Sequence, residues 1–187
     1  IWRTFLCKIS NKIKMSYLPK LKNIKAFVFD VDGVFTDGSV YLLPDQNMSR
    51  VMSVLDGYAV VQSLKQGFKI GIITGGNDPM VKNRMEYLGI KDYYAKSSHK
   101  VSDYEDFKSK YNLQDSEILM MGDDIPDIGI MKLAEISACP ANAVPEVKAI
   151  SDYISPVFGG KGAVRDVIEQ VMKVQGKWNL DEETKSA

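Results

Sequence analysis

Five aspartates, a threonine and a lysine form an ordered set along this 187-residue chain: Asp30-Val31-Asp32-Gly33, then Thr74, then Lys100, then Gly122-Asp123-Asp124-Ile125-Pro126-Asp127. Each piece alone is ambiguous, because Asp-x-Asp and Thr-Gly-Gly are also turn and cap sequences. Position gives the set its meaning. Asp30 ends the run IKAFVF (24–29), Thr74 ends FKIGII (68–73), and Gly122-Asp123-Asp124 ends EILMM (117–121). Short apolar runs of this kind read as buried strands. In a parallel α/β sheet, ligands sit beyond the carboxyl ends of the strands, so segments far apart in sequence are predicted to meet on one rim. Carboxylates crowded together repel one another unless a cation intervenes. An oxygen donor set without a Cys/His cluster suits Mg²⁺ rather than zinc. Mg²⁺ typically joins one or two carboxylates to a phosphate, and the predicted chemistry is phosphoryl transfer.

The elements that must position these residues alternate along the chain. Beyond the three strands above, a hairpin is predicted over 39–55 around the turn-rich Pro44-Asp45-Gln46-Asn47, with helices over 57–66, 78–88, 101–111 and 126–134. Further short strands are expected at 92–95, 136–139 and 152–154, a helical turn at 145–150, and a last helix over 163–175 with Val164, Val167, Ile168, Val171 and Val174 at helical spacing. This order indicates an α/β fold, Rossmann-like and doubly wound, with a mostly parallel sheet and a β-hairpin insertion. Thr74 follows Asp30 by 44 residues and Lys100 follows Thr74 by 26, which leaves no room for a cap domain.

Composition narrows the classes. Twenty-four Lys and Arg balance 24 Asp and Glu, which argues against a nucleic-acid or anionic-membrane partner. The first 14 residues hold four of the cations and no acid, so the remainder is acidic. Residues 1–19 read as a basic extension outside the folded domain, with a targeting role as the competing reading; residues 20–178 read as one domain and 179–187 as a polar tail. No apolar run approaches the length of a membrane span. Two cysteines, Cys7 and Cys139, cannot make a disulfide framework and fit a reducing, cytoplasmic setting.

With these residues in place, the chain resembles the haloacid-dehalogenase superfamily of phosphohydrolases. DVDGV (30–34) is similar to its first motif, Thr74 to its second, Lys100 to its third and GDDIPD (122–127) to its fourth. Within it the chain looks like the capless 3-deoxy-D-manno-octulosonate 8-phosphate phosphatases, over about Leu21–Trp178, through DVDGVFTDG, LDGYAV, IITGG, GDDIPD and GGKGAVRDVIEQVMKVQGKW. The resemblance implies Asp30 as nucleophile, Asp32 as general acid and base, Thr74 as a donor to the phosphoryl group, and Lys100 as its counter-charge. It implies Mg²⁺ held by Asp30, Asp123 and the Asp32 backbone carbonyl, with Asp127 one layer out or acting through water. It further implies a small sugar-acid phosphate as substrate, in lipopolysaccharide precursor synthesis, and a homotetramer whose hairpins and tails complete neighbouring sites. A nine-carbon keto-acid phosphate is the alternative substrate, and a phospho-accepting receiver domain the non-enzymatic alternative.

Two departures bear on substrate recognition. Many relatives carry Arg where this chain has Gly76 and Leu55. Gly75 and Gly76 are expected at the substrate, and Lys161 and Arg165 of GGKGAVR are expected to supply charge, the Gly-rich segment cradling an anion before a helix. Arg50, near the hairpin, is a further candidate to supply charge, with an exposed charge as the competing reading; Asp124 reads as a helix cap at the site edge, and His99 as no ligand. Cys139, Met120 and Met121 read as core, and Trp178 as packing a tail onto its own body or a neighbour.

Overall fold

The computed structural model describes residues 17–44 and 48–178. Six parallel strands form the sheet in the order β5-β4-β1-β6-β7-β8: β1 Ala26–Phe29, β4 Lys69–Ile73, β5 Asp92–Tyr94, β6 Ile118–Met121, β7 Ile136–Cys139 and β8 Tyr153–Ile154. Strands β2 (Tyr41–Leu42) and β3 (Met48–Ser49) pair antiparallel as a separate hairpin. The predicted turn residues 45–47, the basic leader with Cys7, and the tail 179–187 lie outside the described residues. Helices α1 (Val54–Lys65), α2 (Pro79–Tyr87), α3 (Lys100–Lys110), α4 (Ile128–Met131), α5 (Pro145–Ile150) and α6 (Ala163–Val174) connect the strands.

Both faces of the sheet are covered, which is why its strands read as unbroken apolar runs rather than alternating ones. Phe27, Phe29, Ile70, Ile72, Leu119 and Met121 point to one face and pack with α1, α2 and α6. Ala26, Val28, Ile73, Ile118 and Met120 point to the other and pack with α3, α4 and α5. Helix α6 buries Val164, Val167, Ile168, Val171 and Met172, the stripe expected from its spacing. Cys139, Met120 and Met121 are core residues.

Several boundaries move for local reasons. Helix α1 starts at Val54, not 57, because the Ser53 hydroxyl accepts the Leu55 N–H at 3.1 Å and caps it. The helix expected over 126–134 splits into a 3₁₀ turn, Ile125–Asp127, and the short α4. Pro126 and the Asp124 and Asp127 side chains, which take backbone N–H groups there, tighten the first turn. At the N-terminal side the packed body reaches Tyr17, ahead of the expected boundary at 20. A 3₁₀ helix, Leu18–Asn23, follows it, and the Tyr17 hydroxyl donates to Gln170 Oε1 at 2.9 Å.

Candidate active site

Strand register builds the site. Phe29, the last residue of β1, pairs with Ile72 of β4 and Met121 of β6. Asp30, Thr74 and Asp123 therefore leave neighbouring strands at the same edge. They line a cavity of about 600 Å³ with Asp32, Gly75, Gly76, Lys100, Asp124, Pro126 and Asp127. Of the predicted set, Asp30, Asp32, Thr74, Gly75, Gly76, Lys100, Asp123 and Asp127 are brought together.

Lys100 is the hub. It opens α3, and its Nζ donates to Asp30 Oδ1 at 2.8 Å and to Asp127 Oδ1 at 2.7 Å. The Lys100 and Asp30 side chains are 10% exposed and Asp127 only 2%. Asp127 Oδ2 accepts the backbone N–H groups of Asp123 and Asp124, which fixes the loop after β6. Burial pushes the Asp30 carboxyl up, the Asp127 charge pushes it further, and Lys100 pulls it back. Burial and then the Asp30 charge push Asp123 up to about 7.

Carboxylate oxygens of Asp30, Asp123 and Asp127 lie within 4.8 Å of one another. Asp123 Oδ1 is buried with no hydrogen-bond partner. A buried, unpartnered carboxylate oxygen is costly by itself. An all-oxygen group with one acceptor left open fits a hard divalent cation. Gly33 makes room for it: it sits at φ +87°, and a Cβ there would fall 2.0 Å from Asp123 Oδ2. The Asp32 carboxylate is not one of these three.

Asp32 is held instead by Arg50. Arg50 Nε donates to Asp32 Oδ1 at 2.6 Å and Nη2 to Oδ2 at 3.2 Å, while Nη1 donates to Asp78 Oδ2 at 3.0 Å. With its side chain 10% exposed, Arg50 is not a solvent charge. Single-sequence reading has no signal for this pairing, because it joins the residue after the hairpin to the first motif and to the Asp78 cap of α2. Thr74 Oγ1 accepts the Gly76 N–H at 3.0 Å, which turns the loop while leaving its hydroxyl hydrogen to donate. Asp124 takes the Ile125 N–H at 2.7 Å and is the expected cap at the site edge. His99 precedes α3 and does not line the cavity.

Lys161 and Arg165 are not brought to this cavity within the chain; they line a separate hollow of about 320 Å³. The Arg165 guanidinium lies 5.6 Å from the Tyr58 ring and 5.5 Å from Trp178, and pairs with Glu169 at 3.1 Å. Its backbone N–H donates to buried Asp56 at 2.8 Å. Lys161 instead approaches Asp37 at 3.9 Å. The glycines before α6 pack against the catalytic turn. Gly160 N–H donates to Val34 O at 2.9 Å, and a Cβ on Gly159 would lie 1.7 Å from Gly33 O. Trp178 packs on its own body, edge-on to Tyr58 at 6.0 Å.

Comparison with known proteins bears on the same residues. The family model for haloacid dehalogenase-like hydrolases matches residues 50–135. The 3-deoxy-D-manno-octulosonate 8-phosphate phosphatase of Escherichia coli K12 is 32% identical over 170 residues, 91% of this chain and 89% of that protein. The chain belongs to the haloacid dehalogenase-like hydrolases. The fold agrees with those of solved relatives. The crystal structure of the Yersinia pestis octulosonate phosphatase superposes with a TM-score of 0.86 at 28% identity, covering 91% of this chain and 90% of that one. The Moraxella catarrhalis enzyme, solved with magnesium, phosphate and the KDO molecule, gives 0.84 at 31% identity, over 90% of this chain and 94% of that one. Among the described residues, no helix is long and apolar enough to cross a membrane.

Proposed function

We propose that this chain is a Mg²⁺-dependent phosphatase that hydrolyses 3-deoxy-D-manno-octulosonate 8-phosphate to the free sugar acid and phosphate. The observation that carries the chemistry is Lys100 bridging Asp30 and Asp127 beside the open, buried oxygen of Asp123. The substrate reading is supported by the activity named for the relatives, which align over nearly the whole chain.

The residues divide the work. An Asp30 carboxylate oxygen attacks phosphorus in line, forming an aspartyl-phosphate as the sugar oxygen leaves. Asp32 gives that oxygen its proton, then takes a proton from the water that attacks the acyl-phosphate, which frees phosphate and restores Asp30. Lys100 stays beside Asp30 and offsets charge on the phosphoryl group, and the Thr74 hydroxyl donates to one of its oxygens. Asp30 and Asp123 would hold Mg²⁺, with Asp127 orienting the loop between them; when bound, the ion supplies positive charge to the phosphoryl oxygens.

The same reading includes a homotetramer. It is supported by the exposed apolar side chains of the hairpin, Val40, Tyr41, Leu42, Leu43 and Met48, with Val51 and Val54 just after it, an unusual density for a solvent face. Light scattering tests it, and a fully active monomer refutes it. A cytoplasmic setting goes with this activity and is supported by the low cysteine content.

The deciding experiment compares kcat/KM on eight-carbon, nine-carbon and simple sugar phosphates, with Asp30→Asn as control. The eight-carbon acid should be turned over best, and the variant should lose at least about a thousandfold in kcat while remaining folded. Better turnover of the nine-carbon acid would replace the substrate, and substantial Asp30→Asn activity would remove Asp30 as nucleophile.

A further inference from the structure

The Arg50 clamp is out of place for a group that only has to be neutralised. Among the described residues, two cations reach carboxylates that line the catalytic cavity: Lys100, on Asp30 and Asp127, and Arg50, on Asp32. Lys100 stands where the phosphoryl group reacts. Arg50 stands on the residue that must touch the leaving sugar. In this structure Nε and Nη2 occupy both oxygens of Asp32, at 2.6 and 3.2 Å. Each Asp32 oxygen keeps a further lone pair and the side chain is 38% exposed, so the leaving group can reach Asp32 beside the clamp, and the contact most easily given up is the longer one. The 3.2 Å contact through Nη2 is the weaker one.

Position favours the same conclusion. The two carboxylate partners of Arg50 lie on different sides: Asp32 lines the catalytic cavity, and Asp78 lines a second cavity of about 520 Å³ between the hairpin and α2. Arg50 itself lines the second cavity, together with Met48, Met52, Met80 and Arg84. It therefore stands where a substrate anchored by its phosphate at Asp30 would extend its far end. A guanidinium binds carboxylates through a planar pair of donors, and Nη2 released from Asp32 is such a donor, already buried and oriented by Asp78.

We propose that Arg50 is the specificity-determining residue for the carboxylate of the substrate: it exchanges its Nη2 contact on Asp32 for the acid group of the incoming sugar-acid phosphate, while Nε keeps Asp32 in place to meet the leaving oxygen. This rests on the phosphatase reading above and names how the acid end is recognised. Substrates without a carboxylate leave the clamp closed.

The test is the ratio of kcat/KM for a carboxylated sugar phosphate to that for a sugar phosphate of similar size without the acid, in wild type, Arg50→Gln and Arg50→Lys. Both variants lose activity on both substrates, because Asp32 loses its support. In Arg50→Gln the ratio should fall at least about tenfold, mainly through KM, since a buried polar contact to the substrate is what discriminates. Arg50→Lys should recover part of the ratio as a point charge. The inhibition constant of the free sugar acid should rise in parallel, and melting temperatures establish that the variants are folded. A wild type that favours carboxylated substrates, with Arg50→Gln preserving that preference, overturns the role of Arg50 and spares the phosphatase reading. A wild type that hydrolyses both with no preference for the acid overturns the role of Arg50 and the sugar-acid assignment together, and leaves the phosphatase chemistry standing.

Discussion

Replacing Lys100 with Met should uncover the charge conflict that this lysine holds in check. Lys100 reaches Asp30 at 2.8 Å and Asp127 at 2.7 Å, with all three side chains at most 10% exposed. Removing one partner from a buried ion pair costs about 3–5 kcal/mol, because the remaining charge is stranded. For a chain of this size 1 kcal/mol is roughly 2–4 °C in melting temperature, so the expected loss in metal-free buffer at pH 8 is about 10 °C. The loss must shrink in acid. The Asp30 carboxyl is already raised to about 7 with Lys100 present, and losing that cation raises it further. A carboxyl whose folded pKa exceeds its unfolded one binds an extra proton in the native state, so native stability rises as pH falls toward about 4. At pH 5 Asp30 is then neutral and the penalty falls to roughly half. Saturating Mg²⁺ at pH 8 should recover part of the loss, while kcat stays down by a thousandfold or more. Thermal unfolding at pH 5 and 8, with EDTA or Mg²⁺, measures this. A loss under about 2 °C, or one equal at both pH values, would refute the electrostatic account.

Two other substitutions test separate parts of the design. Gly33→Ala should abolish activity and Mg²⁺-induced stabilisation together, because its Cβ would fall 2.0 Å from Asp123 Oδ2 at a φ of +87°; calorimetric Mg²⁺ binding at wild-type affinity would contradict this. Asp56, in the first turn of α1, is buried against the start of α6, accepts the Arg165 N–H through Oδ1, leaves Oδ2 unpartnered, and has its carboxyl pushed to about 6 by burial. Asp56→Ala should cost about 1–3 kcal/mol by orphaning backbone donors. Asp56→Asn keeps the acceptor without the charge, so its stability at pH 7 should match or exceed wild type. A raised folded pKa means the wild type gains stability from about pH 7 down to 4, and the Asn variant should lose that component of the pH profile; urea titrations across that range would show its persistence as a contradiction.

What the sequence disclosed follows from how local each determinant is. The three strand-end motifs were legible because an apolar run and the polar residue after it are contiguous, and parallel register then aligns Asp30, Thr74 and Asp123 without further information. Lys100 was legible through its place in the order, after Thr74 and before Gly122-Asp123-Asp124. Arg50 was legible only as a candidate cation: its partners depend on a hairpin whose strands, Tyr41–Leu42 and Met48–Ser49, are exposed and carry no buried face to set their period. Lys161 and Arg165 stand outside the cavity of their own chain for the converse reason. A Gly-rich segment before a helix suits an anion, but the same glycines also let the backbone approach Gly33 and Thr36 too closely for any Cβ. Sequence shows that glycine is needed there and is silent on what comes near.

Charge then decides the order in which the site can be filled. Five carboxyl groups line the cavity, Asp30, Asp32, Asp123, Asp124 and Asp127, against one lining lysine and the guanidinium on Asp32. A phosphate dianion entering that field meets net repulsion unless cations or protons come with it. Protons can partly relieve it, since Asp30 and Asp123 are both raised to about 7, but a protonated Asp30 is no nucleophile. A divalent cation relieves the same repulsion while keeping Asp30 ionised. Metal and phosphate affinities must therefore be positively coupled, each raising the other by the same factor. The coupling should weaken as pH falls through 7, because protons then compete with the metal for the same carboxylates.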